Sequence, residues 1–268
     1  TTPFDQIKPE HYEPAFKSKI ADANIKIKTL ISNKEKPTFQ NTIVLLEKES
    51  DEISRMASIL FNLNSAETSP EIQTVTQKVS PMLTQFMGKL NVNTKLFKRV
   101  EEIYNNRLHS GLTDEEIRLT ETTYKSMKRN GANLNQAEKK QLIQLQMKLS
   151  KLNLKFSENV LAENNNFILN ITNKEDLAGL PESVIEAAAL TAKTKKLDGW
   201  AFTLQFPSYA PFMKYSANRE LREKLYNAYN ARGNNGNNND NNKIIKEIVN
   251  LRLKIATILG YKSYSEYV

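Results

Sequence analysis

Apolar residues recur at intervals of three and four through most of this chain, the spacing of amphipathic helices. Tyr12, Phe16, Ile20, Ile27 and Ile31 follow Pro9 and Pro14 in that pattern. A second run, about 38–64, places Ile43, Leu46, Ile53, Met56, Leu60 and Leu63 on one face. Ser69 and Pro70 suit the cap and first position of a third helix, whose stripe is Ile72, Val75, Val79, Met82, Phe86 and Leu90. Leu96, Phe97, Val100, Ile103 and Tyr104 mark a fourth, ending before Ser110-Gly111. Thr113 with Glu116 forms a capping box for a fifth, stopped at Asn130-Gly131. Asn135 with Glu138 resembles another cap. It opens a long helix over about 136–163, with Leu142, Leu145, Leu149, Leu152, Phe156 and Val160 at its spacing.

The periodicity then shortens. Residues 167–171 read as a short strand, and 200–205 alternate as a second. The two are expected to pair, because an isolated strand leaves its backbone groups unsatisfied. A helix through Val184, Ile185 and Ala187–Ala189 lies between them, and helices resume over about 218–232 and 241–259. Gly233 to Asp240 is an Asn/Gly run that reads as a loop. The expected fold is therefore mainly α with one small β-hairpin or sheet, near 167–171 and 200–205. Residues 1–163 are expected to form helical hairpins and 164–268 the small sheet plus helices. Residues 263–268 look like a helix being started, so the chain is expected to be truncated at its C-terminus.

Composition narrows the function. The net charge is +8, carried by 29 Lys and 9 Arg, with 30 Asn. Nucleic-acid readers favour Arg for bidentate contacts. Here Lys is spread among Glu along helices, and a solvated surface is the better reading, with no nucleic-acid partner. There is no Cys, which excludes disulfides and thiolate chemistry. No run of about 18 apolar residues is present, so no membrane span is expected.

Candidate chemistry is sparse. The two histidines, His11 and His109, have no metal-ligand neighbour at helical spacing, so His11 reads as part of a helix start and His109 as a cation at a helix end. The acidic pairs Asp51-Glu52 and Glu115-Glu116 read as structural, and Phe16, Phe86 and Phe156 as core. No HExxH, GxSxG, GxGxxG or Gly-rich phosphate loop occurs. No catalytic or metal residue is assigned, and substrate-binding residues are unknown. The segment from Gly199 to Gly233 stands out, being dense in Tyr, Arg and Pro. It is expected to be a structural joint in which Arg219 or Arg222 pairs with a carboxylate or backbone carbonyls.

In that segment Phe202-Thr203-Leu204-Gln205-x-Pro207-Ser208-Tyr209, Tyr215-x-x-Asn218-Arg219-Glu220-Leu221-Arg222 and Tyr226-x-Ala228-Tyr229-x-x-Arg232 resemble the zinc oligopeptidases of the thimet oligopeptidase family. The likeness is greatest to the bacterial peptidyl-dipeptidases (dipeptidyl carboxypeptidases). Residues 3–16, Pro37-Thr38-Phe39-x-Asn41-Thr42-Ile43, residues 61–66, Asp176-Leu177-Ala178-Gly179-Leu180-Pro181 and Asn250-Leu251-Arg252-x5-Ile258-Leu259-Gly260-Tyr261 are similar as well. The resemblance covers essentially the whole chain. It implies the N-terminal helical part of a neurolysin-like fold, one wall of a deep channel that admits short peptides. It also implies a peptidase that releases C-terminal dipeptides. Its zinc would be bound by an HExxH helix and a later Glu outside this chain, in a C-terminal catalytic portion that would be this chain's partner. The compartment is left open between bacterial cytoplasm and periplasm. The alternative is a stand-alone helical module of the same ancestry that binds a peptide or protein.

Overall fold

A computed structural model describes residues 2–268. Helices account for 74% of the chain, and the described residues form one two-stranded sheet. The chain divides into two compact units. Unit 1 holds residues up to Leu154 together with Glu247–Val268, and unit 2 is Lys155–Lys246.

Unit 1 begins with α1 (Pro9–Ser32), α2 (Val44–Ala66) and α3 (Pro70–Asn91), which pack on one another. Then come α4 (Thr94–Asn106), a 3-10 turn (Arg107–His109) and α5 (Asp114–Arg129), with α4 packed on α5. The starts are set by side chains that bond exposed backbone N–H groups. Ser69 Oγ accepts from Ile72 N at 3.2 Å, and Asn93 Oδ1 from Leu96 N at 3.0 Å. At α5 the expected box is complete: Glu116 N donates to Thr113 Oγ1 (3.3 Å) and Thr113 N to Glu116 Oε2 (3.0 Å). Asn135 and Glu138 exchange the same pair of bonds, at 2.9 and 3.0 Å, before α6 (Gln136–Asn166).

The core of unit 1 follows the predicted stripes. Phe16, Leu60 and Val79 are fully covered in one cluster with Tyr12, Ile72 and Val75. Ile43, Leu96 and Val100 anchor another with Phe39, Phe97 and Met127. A third joins Val92 and Leu142 to Ile255 of α10 (Asn242–Ile258). The chain continues to α11 (Tyr264–Tyr267), capped by Ser263. Gly131 opens the loop after α5 with φ +94°, and a Cβ there would come within 2.9 Å of Leu142.

Unit 2 contains the sheet. Strand β1 (Leu169–Ile171) pairs antiparallel with β2 (Trp200–Phe202), in the register Leu169 to Phe202, Asn170 to Ala201 and Ile171 to Trp200. The strands are not a tight hairpin: α7 (Glu182–Thr194) intervenes and packs on β2. Then follow α8 (Phe206–Tyr215) and α9 (Arg219–Asn230), packed together. The core comprises Leu169, Ile171, Leu177, Phe202, Phe212 and Leu225, with Phe202 and Phe212 edge to face at 4.6 Å.

Three expectations are corrected. The run 200–205 is strand only to Phe202, because Thr203 N turns to donate to Ser208 Oγ (3.0 Å) and Gln205 starts α8. Helix α8 accommodates two prolines: Pro207 lies in the first turn, where no N–H is needed. The second helix opens as a π-helix at Phe39–Ile43, where Val44 N donates to Phe39 O. Phe156 is half-buried rather than core, and the buried side chains beside it on α6 are Glu158 and Asn159.

Candidate functional site

The segment with the densest chemistry, 199–233, folds as β2, α8 and α9 of unit 2. Tyr209 of α8 stacks on Tyr229 of α9, centroids 4.0 Å apart. The Arg232 guanidinium lies 3.6 Å over the Tyr229 ring. Its Nε donates to Tyr229 O (2.7 Å) and its second arm to Asn164 Oδ1 (2.6 Å), which fixes the end of α9 to the last turn of α6. Burial, with the Tyr229 hydroxyl nearby, pushes the Tyr209 phenol above its ordinary pKa.

The start of α9 is tied to the Asp176–Pro181 segment. Asn218 caps α9 through Leu221 N (3.1 Å) and donates its Nδ2 to Asp176 Oδ1 (2.8 Å). Ala217 N donates to Ala178 O at 2.7 Å. Gly179, at φ +86°, lies against the Tyr215 carbonyl, where a Cβ has no room. Two motifs some 40 residues apart in the chain therefore meet in one joint. Arg222 donates to the Ser216 carbonyl, as expected for one of the two arginines, while Arg219 is exposed. A cleft of about 420 Å³ opens between α7 and the β2–α8 turn, lined by Val184, Ala188, Thr191, Lys195, Phe202 and Ser208.

The loop after α9 is ordered by carboxylates. Glu163 of α6 accepts from Asn237 (2.7 Å), Asn239 (3.3 Å) and Asn235. Asp240 accepts from Asn242 N (2.8 Å) and Gly236 N (3.0 Å), and those backbone donors hold its carboxyl below the usual aspartate range. Asn241 and Asn159, both almost fully covered, share a bond at 2.9 Å.

Unit 1 has one comparable polar cluster. Arg99 is 8% exposed. It donates to Asn41 Oδ1 (3.0 Å), Thr42 Oγ1 (3.3 Å) and the carbonyls of Asn33 (2.9 Å) and Glu35 (3.3 Å). Asn41 in turn bonds Thr38 N (2.9 Å) and Lys36 O (3.0 Å). The Pro37–Ile43 motif is thus a reversal closed around a buried guanidinium. Periodicity places Arg99 beside an apolar stripe and carries no sign of this role.

The singled-out histidines and acids lie apart. His11, exposed in the first turn of α1, accepts Lys8 N–H on Nδ1 at 3.2 Å. His109 is exposed in the 3-10 turn. Glu52 pairs with Lys19, Glu116 completes its capping box, and Asp51 and Glu115 are exposed. Among the described residues no three His, Cys, Asp or Glu side chains come together as a tetrahedral metal centre would require. The arrangements above hold backbone; none sets a nucleophile against a base.

Residues 16–140 match the neurolysin/thimet oligopeptidase N-terminal domain, and residues 212–268 match peptidase family M3. The chain belongs to the M3 family of peptidases. Its M3 relatives include oligopeptidase A of Haemophilus influenzae, 33% identical over 98% of this chain. Dipeptidyl carboxypeptidase of Escherichia coli is 32% identical over 98%, and organellar oligopeptidase A of Arabidopsis thaliana 30% over 98%. The chain spans 39% of the length of the two bacterial relatives and 34% of the plant one. Identities of 33% and 32% do not separate oligopeptidase A from dipeptidyl carboxypeptidase. The peptidase family M3 match includes α9 with Tyr229 and Arg232.

Proposed function

We propose that this chain is the N-terminal, non-catalytic region of a zinc peptidase of the M3 family that cleaves short peptides, releasing C-terminal dipeptides. In this reading residues 1–268 form one wall of the substrate channel and precede the zinc-binding domain. The alignment carries it: 98% of this chain matches only 39% of relatives named oligopeptidase A and dipeptidyl carboxypeptidase. The site geometry supports it, because the conspicuous Tyr, Arg and Asn side chains hold reversals in place rather than face one another as acid, base and nucleophile. When bound, zinc would polarise a scissile carbonyl and activate water, with ligands supplied from beyond this chain.

The reading frame beyond codon 268 is the first test. An HExxH helix encoded downstream supports the proposal. A stop codon there overturns it and favours a stand-alone helical peptide-binding module. If the frame continues, this chain mixed with the separately produced downstream portion is expected to release dipeptides from the C-terminus of a short peptide, when neither part does so alone. Internal cleavage with no free dipeptide would reassign the activity to an endopeptidase. Full, equally size-selective activity of the downstream portion alone would remove the channel-wall role.

A further inference from the structure

The chain contains two Asn-Gly pairs, Asn130-Gly131 and Asn235-Gly236. An Asn followed by Gly is open to attack on its own side chain, because Gly has no Cβ to hold the next backbone nitrogen away from the carboxamide carbon. The two pairs sit in opposite surroundings.

Asn130-Gly131 is locked. Gly131 is buried, its N–H donates to Lys128 O at 3.3 Å, and the site of its absent Cβ is 2.8 Å from Leu134 and 2.9 Å from Leu142. Asn130 is held at both ends of its carboxamide: Nδ2 donates to Ser126 O (2.9 Å) and Oδ1 accepts from the Tyr267 hydroxyl (3.0 Å). Turning that carboxamide onto Gly131 N requires breaking both bonds and opening a packed turn.

Asn235-Gly236 is open. Both residues are exposed, and nothing lies within 4 Å of where a Gly236 Cβ would stand. Gly236 N already donates its hydrogen to Asp240 Oδ2 at 3.0 Å. The Asn235 carboxamide donates to Glu163 from the surface of the loop.

We propose that Asn235 is a site of spontaneous deamidation whose product unlatches the loop from Glu163. Gly236 N forms a bond to Asn235 Cγ, and the Cγ–Nδ2 bond breaks. The hydrogen given up by Gly236 N, relayed through Asp240, leaves with the amide group as ammonia. Water then opens the resulting succinimide at either carbonyl, leaving aspartate or isoaspartate at position 235. No oxidant or reductant takes part, and water is the one co-reactant. The product sets a carboxylate against Glu163 where an N–H donor stood, so attraction becomes like-charge repulsion. Asn237 and Asn239 still donate to Glu163, so the loop loosens without leaving α6.

The test is to incubate the folded chain at mildly alkaline pH and measure amide-to-acid conversion and isoaspartate at each pair by peptide mapping, beside a urea-unfolded control. Both pairs should convert alike in the unfolded chain. In the folded chain Asn235 should convert about tenfold faster than Asn130, or more, since only Asn130 needs a local opening first. Asn235 remaining intact while the unfolded control converts, or Asn130 converting first, overturns the assignment. The consequence is read from Asn235→Asp, expected to raise hydrogen exchange and protease cleavage across residues 234–240. Asn235→Gln, whose longer side chain closes the ring poorly, is expected to stay as the parent does. Unchanged exchange in Asn235→Asp overturns the unlatching.

Discussion

Arg99 carries a full charge into unit 1, and the oxygens that receive it belong to neutral groups: two side chains and two backbone carbonyls. Replacing it with Met removes four hydrogen bonds from a guanidinium at once and leaves the buried Thr42 Oγ1 without that donor. Arg99→Met is therefore expected to lower stability by about 3 kcal/mol, the upper range for losing hydrogen bonds to a charged group, read from urea denaturation. Tyr12 presents the reverse case. It is 7% exposed and its hydroxyl is buried with no hydrogen-bond partner, while burial pushes its phenol pKa up. Tyr12→Phe is expected to raise stability by about 1 kcal/mol, the cost of an unsatisfied buried hydroxyl. A lowered melting temperature would show that the hydroxyl is bonded in solution. At this scale the sequence was legible where chemistry is local. Thr113 with Glu116, Asn135 with Glu138 and Ser69 could be read as caps because partner and cap lie within three residues. Arg99 with Asn41, Asn159 with Asn241 and Glu163 with its asparagines could not, because each pair joins positions far apart in the chain.

Among the elements, the joint between the Asp176–Pro181 segment and α9 depends on backbone approach. Gly179 meets the Tyr215 carbonyl, and Gly199, at φ +80°, meets the Ile171 carbonyl beside the strand pair. Any side chain there must displace main chain. Gly179→Ala and Gly199→Ala are each expected to destabilise unit 2 by about 2 kcal/mol or more, combining left-handed strain with a clash. Arg222→Met should weaken the same joint, whereas exposed Arg219→Met should leave the melting temperature nearly unchanged. The loop 233–241 adds a pH dependence. Asp240 is held below its ordinary pKa by two backbone donors. Its contribution is present above the unfolded pKa and is lost as pH falls through the folded value. Acid should therefore raise hydrogen exchange at Gly236 and Asn242 before the rest of the chain opens, and Asp240→Asn should flatten that response. Periodicity predicted the helices well because their apolar stripes are long. It has less to read in α8, a helix of ten residues with two prolines. It also misjudged Phe156, since the half of α6 after Leu154 buries polar side chains.

For the whole molecule, composition sets the character of the surface. A chain in which 25% of residues are charged and the net charge is +8 is solvated over most of its surface, and among the described residues no helix is long and apolar enough to cross a membrane. Surface Lys–Glu pairs such as Lys17 with Glu13 or Lys148 with Glu247 are exposed. Such pairs contribute about 0–1 kcal/mol each, so raising salt from low to physiological strength is expected to shift the melting temperature little. A large drop would mean that electrostatics outweighs the apolar clusters.

Unit 1 is discontinuous in the chain: it takes residues up to Leu154, yields to unit 2, and is completed by Glu247–Val268. On a ribosome this order becomes a matter of timing. Leu142, fully covered in the finished protein, has Ile255 among its cover, and Ile255 emerges more than a hundred residues later. Unit 2, unbroken in sequence, has every partner of its own core at hand before that moment. A released chain ending at Lys246 should therefore protect Phe202 and Phe212 from protease while leaving the Leu142 region open to cleavage.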